Sequence, residues 1–221
     1  MRIAIVGPGR IGSNCARRLA KGGHELVLTF SRDTAKLEQL AADVGGSPVA
    51  DPAEAVAGAE VVVLSVPWPA VDEALAQAGS LDGKIVIDTT NQYGADGWIE
   101  FPDGGTAAQH NAARMPGARY TKSFNTLTAA FQAEAAGRQG DERVVQWVCG
   151  DDPEASAIVC ALIEDAGYAA VDLGGTTTCQ VMEAPRRPGA VYGEEYRAAD
   201  ARAVVEAVRA GSEIPPTPSY S

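Results

Sequence analysis

The 221-residue sequence is short of the features that mark several whole classes of function. Basic side chains are in deficit: Lys+Arg 18 against Asp+Glu 29 leaves a net charge of −11, so neither a general nucleic-acid binder nor a binder of anionic membranes is expected, since both reward basic surface. No apolar run reaches the roughly 20 residues of a membrane span. The opening MRIAIVG enters a strand-like segment at once, without a charged region and a cleavable apolar stretch, so a cytoplasmic protein is expected. The 4 cysteines, Cys15, Cys149, Cys160 and Cys179, form no C-x-x-C and no metal-like spacing, which predicts buried thiols rather than a disulfide framework or a metal site. With only 2 histidines and no Ser/His/Asp or paired-carboxylate constellation, hydrolase chemistry is disfavoured. Internal repeats and low-complexity tracts are also missing.

What the chain does have is a regular alternation of short apolar runs with amphipathic stretches, the pattern of βαβ units building a mostly parallel, doubly wound α/β sheet. Strands are predicted at Arg2–Val6, Glu25–Phe30, Glu60–Val66, Lys84–Asp88, Arg119–Phe124, Arg143–Cys149 and Tyr168–Leu173, with a weaker one at Ser47–Ala50. Helices are predicted at Ile11–Lys21, Thr34–Asp43, Pro52–Ala57, Pro69–Ala78, Ala129–Ala136, Pro153–Ala166 and Glu194–Arg209. Asp51 and Asp152 each precede a proline at a first helical position, and Gly22-Gly23 and Gly167 follow last apolar positions. Residues 89–118 read as a long, Gly-rich, irregular excursion, the kind of segment that carries binding loops. The expected division is a Rossmann-type domain over 1–183 and a C-terminal extension over 184–221, with one helix and a frayed tail.

The first unit, Ile3-Ala-Ile-Val-Gly7-Pro-Gly9-Arg-Ile-Gly12, runs a strand into G-x-G-x-x-G and then into a helix. Gly7 permits the tight turn, Gly9 leaves room for a pyrophosphate against the backbone, and Gly12 lets helix and strand pack closely while free N–H groups face the phosphates. Dinucleotide binding follows, with Arg10 and Ile11 in the same loop. At the end of the second strand the acid that would bond an NAD ribose is replaced by Ser31-Arg32, a hydroxyl and a guanidinium suited to the 2′-phosphate of NADP(H). Asp33 fits a helix cap; were it the ribose acid instead, NAD would be preferred. Residues 1–32 hold six basic residues against Glu25 alone, which favours the phosphate assignment.

Ligands of open α/β sheets lie beyond the carboxyl ends of the strands. There the sequence places Ser65-Val66-Pro67-Trp68-Pro69, then Asp88-Thr89-Thr90-Asn91-Gln92-Tyr93, then Ser123-Phe124-Asn125-Thr126. Asn91 and Asn125 read equally as carboxamide or carbonyl ligands and as turn residues, while Trp68, Tyr93 and Trp98 offer faces for a flat ring. His110, in the excursion, is the one general-acid candidate, although nothing nearby in sequence orients it and a surface loop is the plainer expectation. Catalytic candidates are therefore Trp68, Asn91, Asn125 and His110.

Together the segments MRIAIVGPGRIGS, the Ser31-Arg32 pair, LSVPWPAVDEAL, KSFNTL and VCGDDPEASAIVCALIEDAG with the following DLG make residues 1–183 resemble the F420-dependent NADP reductases and their relatives, including the reductase domain of the STEAP metalloreductases. The resemblance implies a reductase in which NADP lies across the strand ends and a flat deazaflavin (F420) or flavin such as FMN stacks on its nicotinamide for direct hydride transfer. Carried over by position, it puts the phosphate loop on Gly7, Gly9, Arg10, Ile11 and Gly12, the 2′-phosphate site on Ser31 and Arg32, and the nicotinamide side on Val66, Pro67, Trp68, Asn91 and Asn125. The chain departs from the family where the excursion is long and where the C-terminal section, apolar in the deazaflavin enzymes, reads Glu183-Ala-Pro-Arg-Arg-Pro-Gly; there Arg186 and Arg187 are either anion ligands or solvated loop.

Three functions compete at this level: an NADPH-linked reductase of a deazaflavin or flavin, an NADPH-dependent reductase of a small carbonyl, imine or enoyl substrate, and a non-catalytic NADP-sensing module. The second needs more than the short section after residue 183 to enclose its substrate, unless a homodimer completes the site. In each the partner is a small molecule, with no nucleic acid and no membrane.

Overall fold

The computed structural model describes residues 1–220. Ten strands occur: β1 (Arg2–Val6), β2 (Glu25–Thr29), β3 (Ser47–Pro48), β4 (Val61–Leu64), β5 (Ile85–Asp88), β6 (Tyr93–Gly94), β7 (Gly97–Trp98), β8 (Arg119–Lys122), β9 (Val145–Gly150) and β10 (Ala169–Asp172). Eight of them form one sheet in the order β10-β9-β8-β5-β4-β1-β2-β3, and β6 and β7 make a separate small hairpin. The helices are α1 (Arg10–Lys21), α2 (Thr34–Val44), α3 (Pro52–Ala57), α4 (Val71–Ala78), α5 (Ala107–Ala113), α6 (Ala129–Ala135), α7 (Pro153–Asp165) and α8 (Ala198–Ala210), with 3₁₀ turns at Trp68–Ala70, Gly140–Glu142 and Thr176–Met182. This is the Rossmann-like α/β architecture expected of the alternating pattern.

The strands are apolar on both faces because helices cover both. Ile3, Ile5, Leu26, Leu28, Val61, Val63, Ile85 and Ile87 point to α1, α2 and α7, while Ala4, Val6, Val62, Leu64 and Val86 point to α3, α4 and α8. Three carboxylates start helices on that scaffold. Asp33 accepts from the Lys36 amide at 3.1 Å, Asp51 from Ala53 at 2.9 Å, and Asp152 from Glu154 and Ala155 at 3.0 and 3.1 Å. Arg119 of β8 grips Asp152 at 2.6 Å, and this bond holds the Asp152 carboxyl down at about 2.

One strand pair is the exception in the mostly parallel sheet, and three further features differ from the sequence expectations. β9 runs antiparallel to β8, with Thr121 opposite Gly150, although every other pair in the sheet is parallel. The chain between them therefore never crosses to the far end of the sheet, and α6 stays above the carboxyl ends of the strands, tied to α1 by the Asn14 amide donating to the Ala129 carbonyl at 2.7 Å. Residues 89–118 are not irregular throughout: they hold the β6–β7 hairpin and α5, whose start is closed by reciprocal Thr106 and Gln109 bonds. The C-terminal helix begins at Ala198 rather than Glu194, because Arg197 is still extended and bridges Val144. The tail is anchored, with Ile214 buried and the Tyr220 hydroxyl donating to Asp200 at 2.7 Å.

Trp147 of β9, 1% exposed, meets Tyr196 edge-on at 5.4 Å between centroids and so joins the sheet to the C-terminal section. Trp147→Ala is expected to cost about 3–5 kcal/mol in denaturant unfolding and to loosen α8 with it. A loss below about 1 kcal/mol would show that the C-terminal section is not part of the cooperative core.

Candidate active site: a cleft at the strand ends

The turn from β1 to α1 is built by close approach. Gly7 has φ +87°, and a Cβ there would lie 2.5 Å from Val66 Cγ1 and 2.6 Å from the Ser65 carbonyl; its amide donates across to Thr29 of β2 at 3.1 Å. A Cβ on Gly12 would lie 2.5 Å from the Gly7 carbonyl. Gly9 is the opposite case, with no atom within 4 Å of its Cβ position, so its open side is turned away from the protein. The Ser13 hydroxyl braces the loop by donating to the Pro8 carbonyl at 2.9 Å. Helix α1 has no acid in its first turn, which leaves its amide end free for an anion.

That open side faces a cleft of about 1150 Å³. Pro8, Gly9, Arg10, Ile11, Arg17 and Lys36 line one end; Thr89, Asn91, Phe124, Asn125 and the start of α6 form the middle; Arg186 and Tyr192 close the other end. The Asn91 amide donates to the Asn125 carbonyl at 2.9 Å, and the Asn125 amide donates to Asn91 Oδ1 at 3.1 Å and to the Met182 carbonyl at 2.6 Å. The two strand-end asparagines are thus one locked pair. Asn125 Oδ1 has no partner. Phe124, just before it, is held at φ +58°, a conformation that costs a non-glycine residue, and its ring meets Tyr168 edge-on at 6.2 Å.

Ser31 and Arg32 stand at the end of β2, beyond the lined part of the cleft. Ser31 Oγ exchanges hydrogen bonds with the Asp33 backbone at 3.0 and 3.2 Å, and the Arg32 side chain is exposed and makes no salt bridge among the described residues. Asp33 is committed to capping α2 and to Lys36 Nζ at 3.0 Å, which lowers its pKa. It behaves as the cap, not as a free ribose acid.

Other expected site residues lie elsewhere. Val66 packs under Gly7 and Pro67 is exposed. Trp68 is 6% exposed and sits beneath Arg114, 4.9 Å from its ring, with Phe101 tilted on it at 5.8 Å; it does not line the cleft. An aromatic residue placed after proline at a strand end looked free to stack on a ligand, but its area is consumed in covering α4 and the excursion. Tyr93 and Trp98 lie on the exposed hairpin. His110 stacks on Phe101 at 3.7 Å and pairs with Asp103 at 3.0 Å, outside the cleft lining, so it has no reach to a reacting atom there.

Several side chains around the cleft were given no role of their own by sequence reasoning. Asp88 and Lys122 are a fully buried pair at 3.4 Å behind the cleft floor. Burial disfavours both charges, yet Lys122, Asn111, Tyr120 and the Thr90 amide hold Asp88 below its ordinary range, and Asp88 and Glu183 hold Lys122 above its own. A lysine inside a strand buried on both faces was the available signal, since such a charge needs a partner. Glu183, also buried, accepts from the Ala107 and Ala108 amides at 2.8 Å. Tyr192 meets Tyr93 hydroxyl to hydroxyl at 3.5 Å at the cleft mouth. Of the two arginines that the sequence left open as anion ligands or solvated loop, Arg186 lines the cleft while paired with Glu194, and Arg187 bonds the Gln180 carbonyl in a smaller neighbouring cavity.

Residues 2–92 match the family model described as NADP oxidoreductase, coenzyme F420-dependent. No curated protein matches the sequence. Among solved structures, a hypothetical protein from Sinorhizobium meliloti is 26% identical with a TM-score of 0.77 over 89% of this chain and 95% of its own. A provisionally assigned F420-dependent NADP reductase from Arthrobacter sp. FB24 is 28% identical, with a TM-score of 0.69 over 81% of this chain and 87% of its own. A reductive aminase from Aspergillus terreus, solved with NADPH, shares the fold at 23% identity and TM-score 0.59, and the matched part is only 56% of that longer chain. Over residues 2–92, which build its glycine turn and first strand ends, this chain is similar to the NADP oxidoreductases that depend on coenzyme F420.

Proposed function

We propose that the cleft holds NADP(H) with its pyrophosphate on Gly7, Gly9, Arg10, Ile11 and Gly12, its 2′-phosphate at Ser31 and Arg32, and its nicotinamide beside Asn91 and Asn125, and that a flat deazaflavin or flavin is the acceptor. The cofactor supplies a hydride at its nicotinamide ring. The observation that carries the reading is the composition of the cleft between the glycine turn and Tyr192: its middle is amide, hydroxyl and aromatic surface, without a carboxylate or imidazole. Such a surface can orient two rings against each other and exclude water, which is what direct transfer requires. The locked Asn91–Asn125 pair sets two side-chain amides in fixed positions on the cleft wall, groups of the type that meet a nicotinamide carboxamide. The room above Gly9 and the acid-free start of α1 suit a pyrophosphate.

One observation favours a second reading, reduction of a small carbonyl, imine or enoyl compound. Tyr192 lines the same cleft and presents a phenol hydroxyl, an O–H donor that could meet a substrate oxygen or nitrogen; burial and Tyr93 push its pKa above the ordinary value.

Gly9 has ordinary φ −70° and open space, so Gly9→Val is expected to fold normally and to lose both NADPH and NADH in a binding titration. Unchanged affinity in the folded variant would remove the loop assignment. Arg32→Ala is expected to weaken NADPH about ten- to a hundredfold while barely changing NADH, as loss of a charge-assisted hydrogen bond to phosphate should. Equal losses for the two cofactors would contradict it. The acceptor is tested by steady-state NADPH oxidation with F420, FMN and a carbonyl and imine panel. Turnover with the deazaflavin or flavin that stays within a few-fold in His110→Ala and in Tyr192→Phe is expected, because removing a true proton donor costs about 10²–10⁴-fold. Turnover confined to the carbonyl and imine panel, collapsing in Tyr192→Phe, would establish the second reading instead.

A further inference from the structure

Behind the cleft floor, four polar side chains that take no part in lining it converge on one turn. Asp88 Oδ2 accepts from the Tyr120 hydroxyl at 2.6 Å, the Asn111 amide at 2.8 Å and the Lys122 ammonium at 3.4 Å. Neither Asp88 nor Lys122 has any exposed side-chain surface. Replacing a buried ion pair by apolar residues of similar volume is commonly neutral or stabilising, so the attraction between the two charges is a weak reason for keeping them.

What the cluster does locally is grasp Thr90 at every polar group it owns. The Thr90 amide donates to Asp88 Oδ1 at 2.8 Å, its carbonyl accepts from Lys122 Nζ at 2.7 Å, and its hydroxyl accepts from Asn111 at 3.1 Å. The carboxylate can take only the N–H and the ammonium can take only the carbonyl. The two charges therefore fix the peptide planes on both sides of Thr90 in one orientation, where neutral partners would tolerate a flip. Thr89 and Asn91, the chain neighbours of Thr90, both line the cleft. Asn91 then engages Asn125, and Gln92 extends the hold by donating to the Ala184 carbonyl at 3.0 Å.

We propose that Asp88, Lys122 and Asn111 are positioning residues whose task is to fix the Thr90 turn and, through it, the Asn91–Asn125 pair at the nicotinamide end of the cleft. The proposal rests on the NADP reading above. It makes the charged pair a determinant of how the reactive half of the cofactor is held, with no part in holding the adenosine half, which sits at the other end on the α1 turn.

The test compares two ligands, NADPH and 2′,5′-ADP, the latter carrying the adenosine half and both its phosphates but no nicotinamide. Dissociation constants for both are measured by calorimetry, alongside thermal unfolding, in the wild type, in the Asp88→Leu/Lys122→Met double variant, in Thr90→Val and in Asn91→Ala. The double variant is expected to stay folded, to bind 2′,5′-ADP within about twofold of wild type, and to lose about tenfold in NADPH affinity, the scale of one misplaced polar contact. Thr90→Val, which removes only the hydroxyl that Asn111 reaches, is expected to lose about threefold for NADPH alone. Adding the double variant to Asn91→Ala should cause no further loss, since both act through one element. A parallel loss for both ligands would show a purely structural role and overturn the proposal, as would an unchanged NADPH affinity. Should the double variant fail to fold, Thr90→Val decides, and an unchanged ratio of the two affinities there overturns it. A wild type that binds neither ligand refutes the NADP reading itself and is thereby told apart from failure of the positioning role.

Discussion

The structure depends on a backbone crossing. At Gly7 the chain leaves β1 so close to Ser65 and Val66 at the end of β4 that a single Cβ would overlap both. That contact draws the two central strands together where the order of the sheet reverses, the point at which open α/β sheets open a crevice. It also aims the free amides of α1 into that crevice rather than at protein. Gly12 repeats the constraint from the helix side by packing on the Gly7 carbonyl. Gly9, between them, is left facing open space, and the site begins there.

From this crossing the cleft is extended by elements whose directions are set by local bonds. The reversal at β8–β9 keeps α6 above the strand ends, so that Asn125 and the residues after it become a wall. The C-terminal section closes the far end because Asn125 holds the Met182 carbonyl and Gln92 holds that of Ala184. The buried charges of Asp88 and Lys122 lie under the same corner. A rigid floor, an amide-lined middle and an end wall supplied by a separate segment are the features on which the proposed alignment of two rings rests.

Much of this was legible in the sequence, and the parts that were not share a physical reason. The seven longer strands and the capped helices announce themselves through uninterrupted apolar runs and through Asp-Pro starts at Asp51 and Asp152, signals that act within a few residues. Helix α5 carried a signal of the same kind, Thr106-Ala-Ala-Gln109, hidden in a Gly-rich neighbourhood that suggested a loop. Strand direction leaves no trace in burial, since a parallel and an antiparallel strand covered on both faces read alike, and so the turn at β9 was invisible. Trp68 and the Asp88–Lys122 pair depend on partners distant in sequence, Arg114 for the first and each other for the second, whereas His110 is held by Phe101 and Asp103 nearby, brought to it by a turn that the Gly-rich run did not announce. The glycine turn needed no such partner, because its spacing alone encodes the close approach.

The central claim is that a hydride passes directly between the nicotinamide and a flat acceptor ring. It is tested most directly by following the label from NADPH carrying deuterium at its transferable C4 position into reduced F420 in ordinary water, with the product examined by mass spectrometry and NMR. The account predicts stoichiometric, stereospecific retention of deuterium at the deazaflavin carbon that receives the hydride. Deuterium appearing only in the solvent, or no transfer to the deazaflavin alongside transfer to a carbonyl or imine carbon, would contradict it.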